Sequence, residues 1–251
     1  CVDDEGVNSI LPDLSRPNVT YGITEKADYR ATNIRHDKAK SFFSVSKAGQ
    51  ENWLEIELNM PGNHNVRNAL AAIAIADELD VDKQSISNAL SKFAGIDRRC
   101  DVLGEIEISG KRVLLIDDYA HHPVEIAAII SSVRKGWPDK RIVTVFQPHR
   151  YSRTRDLFDD FCQVLSELDV LILLDVYAAG EAVLSAADSR SLSRSIRMRG
   201  KLDPVYVEQR EELHTMLSNI VEDEDILLML GAGDIGNLSR ELSTRYGAQL
   251  H

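Results

Sequence analysis

The chain has 251 residues, 43% of them hydrophobic and 27% charged, with a formal net charge of −11. That length supports one large domain or two modest ones, each with its own core, and the composition is that of an ordinary soluble globular protein. The acidic balance excludes a general nucleic-acid or membrane-surface binder, which needs a basic face. No apolar run approaches the length of a membrane span, and the N-terminus lacks the apolar core of a signal peptide. Three scattered cysteines, Cys1, Cys100 and Cys162, form no CxxC, which predicts reduced thiols in a cytoplasmic protein. A start at Cys1 without methionine has two readings, a processed lipoprotein or part of a longer polypeptide, and the second is expected.

From about residue 18 to 60, short β-like runs at 19–22, 41–46 and 53–58 alternate with polar turns, predicting a small antiparallel sheet. Pro61-Gly62 ends it. A helix is expected over 66–79, with Ala69, Ala72, Ile73 and Ala76 as its core side, and a second over 82–93 capped by Asp82. After Gly95 the pattern changes. Apolar strands are predicted at 112–117, 141–146, 169–174, 204–207 and 225–230, separated by helices at 123–135, 153–166, 188–198, 209–221 and 234–245. Strands alternating with helices predict a Rossmann-like, mostly parallel sheet covered on both faces. The domain boundary is placed near 95, giving domains 1–95 and 96–251 within the α/β class.

Gln147-Pro148-His149-Arg150-Tyr151-Ser152-Arg153-Thr154-Arg155 follows the apolar strand 142–146 and opens the next helix. Cations at a helix start cost stability unless an anion binds among them, so this stretch predicts a carboxylate or phosphate site. Asp117-Asp118-Tyr119-Ala120-His121-His122-Pro123 also leaves the end of a strand, as does Asp175-Val176-Tyr177-Ala178-Ala179-Gly180-Glu181. In open α/β sheets such loops line the ligand crevice. A metal site is not expected, because adjacent histidines point apart and no Cys or Glu stands at ligand spacing.

On the first predicted helix of the chain, His64, Asn65 and Asn68 share a face, and asparagine amides suit the edge of a purine; N-capping is an equally good account of them. Arg98-Arg99 reads as a solvated surface pair. Gly231-Ala232-Gly233-Asp234-Ile235-Gly236 matches GxGxxG after a strand, but no strand with a terminal acid follows, so the glycines read as a tight turn that packs the last helix. No GxxxxGK[ST] phosphate loop occurs, and Gly110-Lys111-Arg112 reads as a hairpin turn.

Together these motifs resemble the Mur ligases, ATP-dependent amide-bond ligases of peptidoglycan precursor synthesis, over essentially the whole chain. His64-Asn65-x-x-Asn68-Ala69 resembles the family's adenine-side helix, Arg99 its ribose-side arginine, and Asp118 the aspartate that helps hold the nucleotide. The three long loop motifs are similar to those of the branch that joins L-alanine to UDP-N-acetylmuramate. The resemblance implies that the sugar carboxylate is activated as an acyl phosphate and attacked by the alanine amine. It places His149, Arg150 and Arg153 at the amino-acid carboxylate, and Tyr119 and His121 beside the muramoyl or amino-acid group. ATP and Mg2+ are the implied cofactors, held mainly by a phosphate-loop core absent from this sequence. The chain is then expected to be inactive alone, with residues 1–95 as the tail of a central ATP-binding domain and part of its helix surface exposed. Other readings are a ligase that recycles murein tripeptide, an anion-binding module without catalysis, and, more distantly, a hydrolase whose metal sits on His121, His122 and His149.

Overall fold

The computed structural model describes residues 1–24, 26–47, 49–184 and 187–247. Two compact units divide the chain, Cys1–Gly95 with Ser131–Pro138, and Ile96–Ile130 with Asp139–His251.

In the first unit a short helix, α1 (Glu5–Ile10), is capped by Asp4, whose carboxylate accepts from Val7 N at 2.8 Å. A four-stranded sheet follows, ordered β1 (Tyr21–Gly22), β2 (Tyr29–Asp37), β3 (Lys40–Lys47), β4 (Gln50–Leu58). The pairs β2–β3 and β3–β4 are antiparallel, but β1 joins β2 in parallel, so the sheet is mixed rather than purely antiparallel. Strand β2 had no counterpart among the expected runs. It is rich in Arg, Thr, Asn and His, and its buried residues are Tyr29 and Ala31.

Helix α2 spans Asn63–Glu78, three residues earlier than expected, and α3 spans Lys83–Lys92. Asp82 caps α3 as predicted, accepting from Ser85 N at 3.0 Å. The core of this unit joins Val66, Leu70 and Ile73 of α2 to Phe43, Val45 and Leu54 of the sheet. Ala72, expected on the core side, is exposed. The helix is turned so that its larger aliphatic residues meet the sheet, which buries more apolar area than an alanine stripe would. Asp77, near the end of α2, accepts hydrogen bonds from both Tyr29 Oη and Lys47 Nζ and ties the helix to the sheet.

The second unit has a six-stranded sheet of β5 (Asp101–Ile108), β6 (Lys111–Asp118), β7 (Ile142–Phe146), β8 (Val170–Leu174), β9 (Val205–Val207) and β10 (Ile226–Leu230), in the order β5-β6-β10-β7-β8-β9. All neighbours are parallel except the β5–β6 hairpin. Edge strand β5 was not anticipated, although its turn was. Ser109 and Gly110 both have positive φ (52° and 80°), the backbone of a tight hairpin turn.

Its helices are α4 (Pro123–Gly136), whose residues from Ser131 onward are counted with the first unit, α5 (Tyr151–Asp156), α6 (Phe158–Leu165), α7 (Ser189–Met198), α8 (Leu213–Ile220) and α9 (Ile235–Tyr246). One sheet face, with Val143, Val145, Ile172, Leu227 and Met229, forms a core with Leu213 and Leu217 of α8 and Leu238 and Leu242 of α9. The alternate residues Phe146, Leu171, Leu173 and Leu228 are equally buried, and Phe146 meets Phe161 of α6 with ring centroids 5.8 Å apart. Both faces are therefore covered, as a parallel sheet requires.

The helix expected over 153–166 begins at Tyr151 and breaks at Leu157 (φ −116°, ψ 25°). Arg153 and Arg155 consequently lie in the last turn of a six-residue helix, where cations are favourable. The helix-start argument for an anion site therefore does not hold, and the case has to rest on what converges around the loop.

Candidate functional site

Because β6, β10, β7, β8 and β9 run in parallel, the loops leaving them meet along one edge of the sheet. The loops after β6 and β7 are not from adjacent strands, since β10 lies between them, yet His121 and His149 come within 5.8 Å, ring centroid to ring centroid. Tyr119 stands edge-on to His121 at 5.4 Å, and Tyr177 stacks on His149 at 5.5 Å with an interplanar angle of 17°. Four rings from three loops thus form one row.

Each loop is locked by its own hydrogen bonds. The Glu125 carboxylate accepts from His121 N (3.0 Å) and His122 N (3.2 Å), closing the entry to α4 as the acid of a capping box does. Burial raises the Glu125 pKa, but those amides and the His121 charge more than offset it, so the group stays ionised below the usual range. His121 Nδ1 also lies 2.9 Å from Tyr119 O. The β7 and β8 loops form a parallel bridge at His149 and Tyr177, in which Tyr177 N donates to Pro148 O (2.8 Å) and Arg150 N to Tyr177 O (2.9 Å). Glu181 secures the far end by accepting from Ser152 N (2.9 Å) and Ser152 Oγ (2.6 Å).

Arg153 Nη1 lies 3.3 Å from His149 Nδ1 and donates to His149 O at 3.1 Å. Arg150 is exposed, its backbone in the left-handed region at φ 72°. A non-glycine residue there is strained unless its surroundings hold it, and the bridge to Tyr177 does so. Burial, followed by the charges of Arg153, His121 and Arg150, lowers the His149 pKa and so favours the neutral imidazole beside the Arg153 guanidinium. A small carboxylate is the natural complement to that arrangement.

Arg98 is not the solvated residue expected. Its Nε donates to Asp117 (2.8 Å), its Nη2 to Gly231 O (2.5 Å), and its guanidinium lies 5.1 Å over the Tyr119 ring. A Cβ on Gly236 would sit 2.5 Å from Arg98 Cζ, so that glycine makes room for the arginine. A Cβ on Gly233 would likewise fall 2.7 Å from Tyr177 Cγ and 2.5 Å from Gln147 Oε1. Gln147 bridges Asp234 (2.7 Å) and Ile235 N (3.2 Å), joining the β7 and β10 loops. The glycines thus clear space for Arg98, Gln147 and Tyr177. Their spacing is readable in sequence, but the three side chains they admit are not.

Asp118 is buried, and its carboxylate accepts from Cys100 N and Ala120 N, both at 2.7 Å. Burial, only partly opposed by those amides and Arg99, pushes its pKa up to about 6. Arg99 is exposed, its guanidinium 5.6 Å from the Tyr119 ring centroid. In the first unit His64 is half-buried and Asn68 exposed on the opening turns of α2, whereas Asn65 is buried and donates to Pro61 O at 2.8 Å. The two asparagines therefore do not present a common exposed face.

Among the described residues, no group of three or more His, Cys, Asp or Glu side chains is arranged to hold a metal ion. No helix among them is long and apolar enough to cross a membrane.

Comparison with known proteins agrees with this architecture. The family model described as Mur ligase, glutamate ligase domain matches residues 98–233, and the Mur ligase middle domain model matches residues 2–76. The chain belongs to the Mur ligase family, whose members are ATP-dependent amide-bond ligases. Among solved structures, UDP-N-acetylmuramate-alanine ligase from Thermotoga maritima superposes with a TM-score of 0.74 at 31% identity, over 91% of this chain and 47% of that one. Murein peptide ligase from Psychrobacter arcticus gives 0.56 at 22% identity, over 92% and 47%. Folylpolyglutamate synthase from Thermotoga maritima gives 0.57 at 16%, over 88% and 48%. These last two share the fold. The chain spans about half the length of each.

Proposed function

We propose that this chain is the amino-acid-binding part of a ligase that joins L-alanine to the carboxylate of UDP-N-acetylmuramate. The observation that carries the reading is the contact of Arg153 with His149, the residue that precedes Arg150, beside the Tyr119–His121 ring pair. The guanidinium groups take the alanine carboxylate, while His149 and the rings orient the amine. Orientation of a nucleophile is a large share of rate enhancement in such a transfer. The 31% identity to a UDP-N-acetylmuramate-alanine ligase supports L-alanine as the amine substrate.

ATP, when bound, supplies the phosphoryl group that makes the sugar carboxylate an acyl phosphate. Arg99, exposed and charged, is assigned by the family resemblance to its ribose, and Asn68, exposed on α2 of the first unit, carries the kind of amide that suits a base edge. Asn65 Nδ2 and the Asp118 carboxylate are engaged by backbone groups, so each is assigned a supporting role within its own unit. Mg2+, like the ATP phosphates, is expected to be held mainly by the phosphate-loop core that this sequence does not contain. We place the boundary between the nucleotide-side domain and the amino-acid-side domain near residue 95. With no phosphate loop in its sequence, the 251-residue chain is expected to form no amide product alone.

The test uses the intact ligase with Arg153→Ala and Arg150→Ala. Loss of a charged contact predicts a fall of about 100-fold in kcat/KM for L-alanine, about 2.7 kcal/mol, with the KM for ATP nearly unchanged. An equal rise in both KM values would reject the assignment. Turnover of murein tripeptide in place of free L-alanine would reassign the substrate.

A further inference from the structure

We propose that Tyr177 is a specificity-determining residue, its ring forming the wall that limits the amine substrate to a small side chain. The proposal rests on the amino-acid site described above and gives a specific role to one residue of the 175–181 loop, which the sequence marks only as lining of the crevice.

Tyr177 is 39% exposed, yet it is held as a core residue would be. Both of its backbone polar groups are engaged by the β7 loop, through Pro148 O and Arg150 N. Its ring lies flat on His149, and its Cβ and Cγ occupy space that Gly233 leaves by lacking a side chain. A surface tyrosine normally keeps rotamer freedom, and fixing it costs conformational entropy. Two further loops, after β7 and β10, combine here to fix a residue of the loop after β8.

The position of the ring says what that rigidity achieves. Arg153 is in contact with His149 Nδ1, so a carboxylate on Arg153 lies beside the His149 ring that Tyr177 covers. In an amino acid the α-carbon is only about 1.5 Å from the carboxylate carbon. The α-substituent is then one bond further on, within reach of the ring row. A methyl group needs little room there, whereas each added carbon must displace a ring packed against His149 and Gly233. Steric discrimination of this kind is worth roughly 10- to 200-fold per methylene-sized change.

The experiment compares kcat/KM for L-alanine and L-valine in the intact ligase carrying Tyr177→Ala, Tyr177→Phe or Gly233→Ala. Tyr177→Ala should raise the valine-to-alanine ratio about tenfold or more. Tyr177→Phe should keep the wild-type ratio, because the ring and not the hydroxyl forms the wall. Gly233→Ala keeps the tyrosine but displaces its ring, and should shift the ratio in the same direction. Thermal unfolding of each variant checks that the fold survives. An unchanged ratio in a folded Tyr177→Ala variant overturns the proposal. If the wild-type ligase does not use L-alanine, the substrate assignment fails instead. The same ratio, measured between the amino acid it does use and a bulkier homologue, then decides the role of Tyr177.

Discussion

The two units bury their apolar surface to different degrees. In the second, the central strands β7, β8 and β10 are apolar and buried on both faces, enclosed by helices. In the first, a sheet is covered by α2 and α3, and α2 still exposes Ile75 (63%) and Leu79 (71%) on its outer side. A groove of about 260 Å3 runs there, lined by Val19, Tyr21, Ala71, Ala74, Ile75 and Leu79, with Glu78 as its one charged residue. The residues gathered for chemistry stand on the edge of the fully enclosed sheet. A closed core on both sides fixes strand ends to the tolerance that a site of converging loops requires.

The largest test deletes the same kind of side chain from a central strand. Leu227 is fully buried in β10, so Leu227→Ala should cost about 3–5 kcal/mol by calorimetric or denaturant unfolding. A cost below about 1 kcal/mol would mean that the sheet relaxes around the cavity and is not close-packed.

Next comes the pH dependence of Asp118. Its folded pKa is near 6 against the usual 3.8, so between those values the folded state holds a proton that the unfolded state has released. Stability from this group is thus fully present below about pH 4 and is lost as pH rises to about 6, by on the order of 3 kcal/mol. Asp118→Asn should remove that slope, and an unchanged profile would show that the carboxyl is ionised throughout.

A smaller effect concerns Asp188, which caps α7 by accepting from Ser191 N at 2.7 Å. Burial raises its pKa, but hydrogen bonds from Ser191 more than offset this and leave it lowered. Asp188→Ala should cost about 1 kcal/mol. The contribution is present above the usual carboxylate range and is lost as pH falls through the lowered folded value. A variant as stable as the parent at pH 7 would remove the cap from the account.

How much of this was legible in sequence depended on periodicity and on contact distance along the chain. The ranges 142–146, 169–174 and 225–230 are almost wholly apolar apart from Thr144 and the leading Asp169 and Asp225, and β7, β8 and β10 fall within them. Strand β2 escaped because its residues are mostly polar, and β5 because Asp101, Gly104, Glu105 and Glu107 dilute it. Both rely on pairing with a neighbour, which local pattern does not encode. The same holds for the site. His149, Arg150 and Arg153 are close in sequence and could be read as a cluster. Arg98, paired with Asp117 and with Gly231 from the far end of the chain, looked like a solvated residue because both partners are remote.

The smallest predicted change in stability is also the one that tests the first unit. Ile75 is exposed, so Ile75→Lys removes little buried area and should move stability by less than about 0.5 kcal/mol. Its effect should appear instead in association. Apolar residues lining a groove favour contact with another apolar surface, and a lysine there introduces a charge that would have to be desolvated. Sedimentation at rising concentration should show the parent chain self-associating and the lysine variant remaining monomeric. A parent that stays monomeric at high concentration would mean that the groove is too shallow to drive association. A lysine variant that loses several kcal/mol would mean instead that Ile75 is covered in solution, and that the two units are more alike in burial than the structure shows.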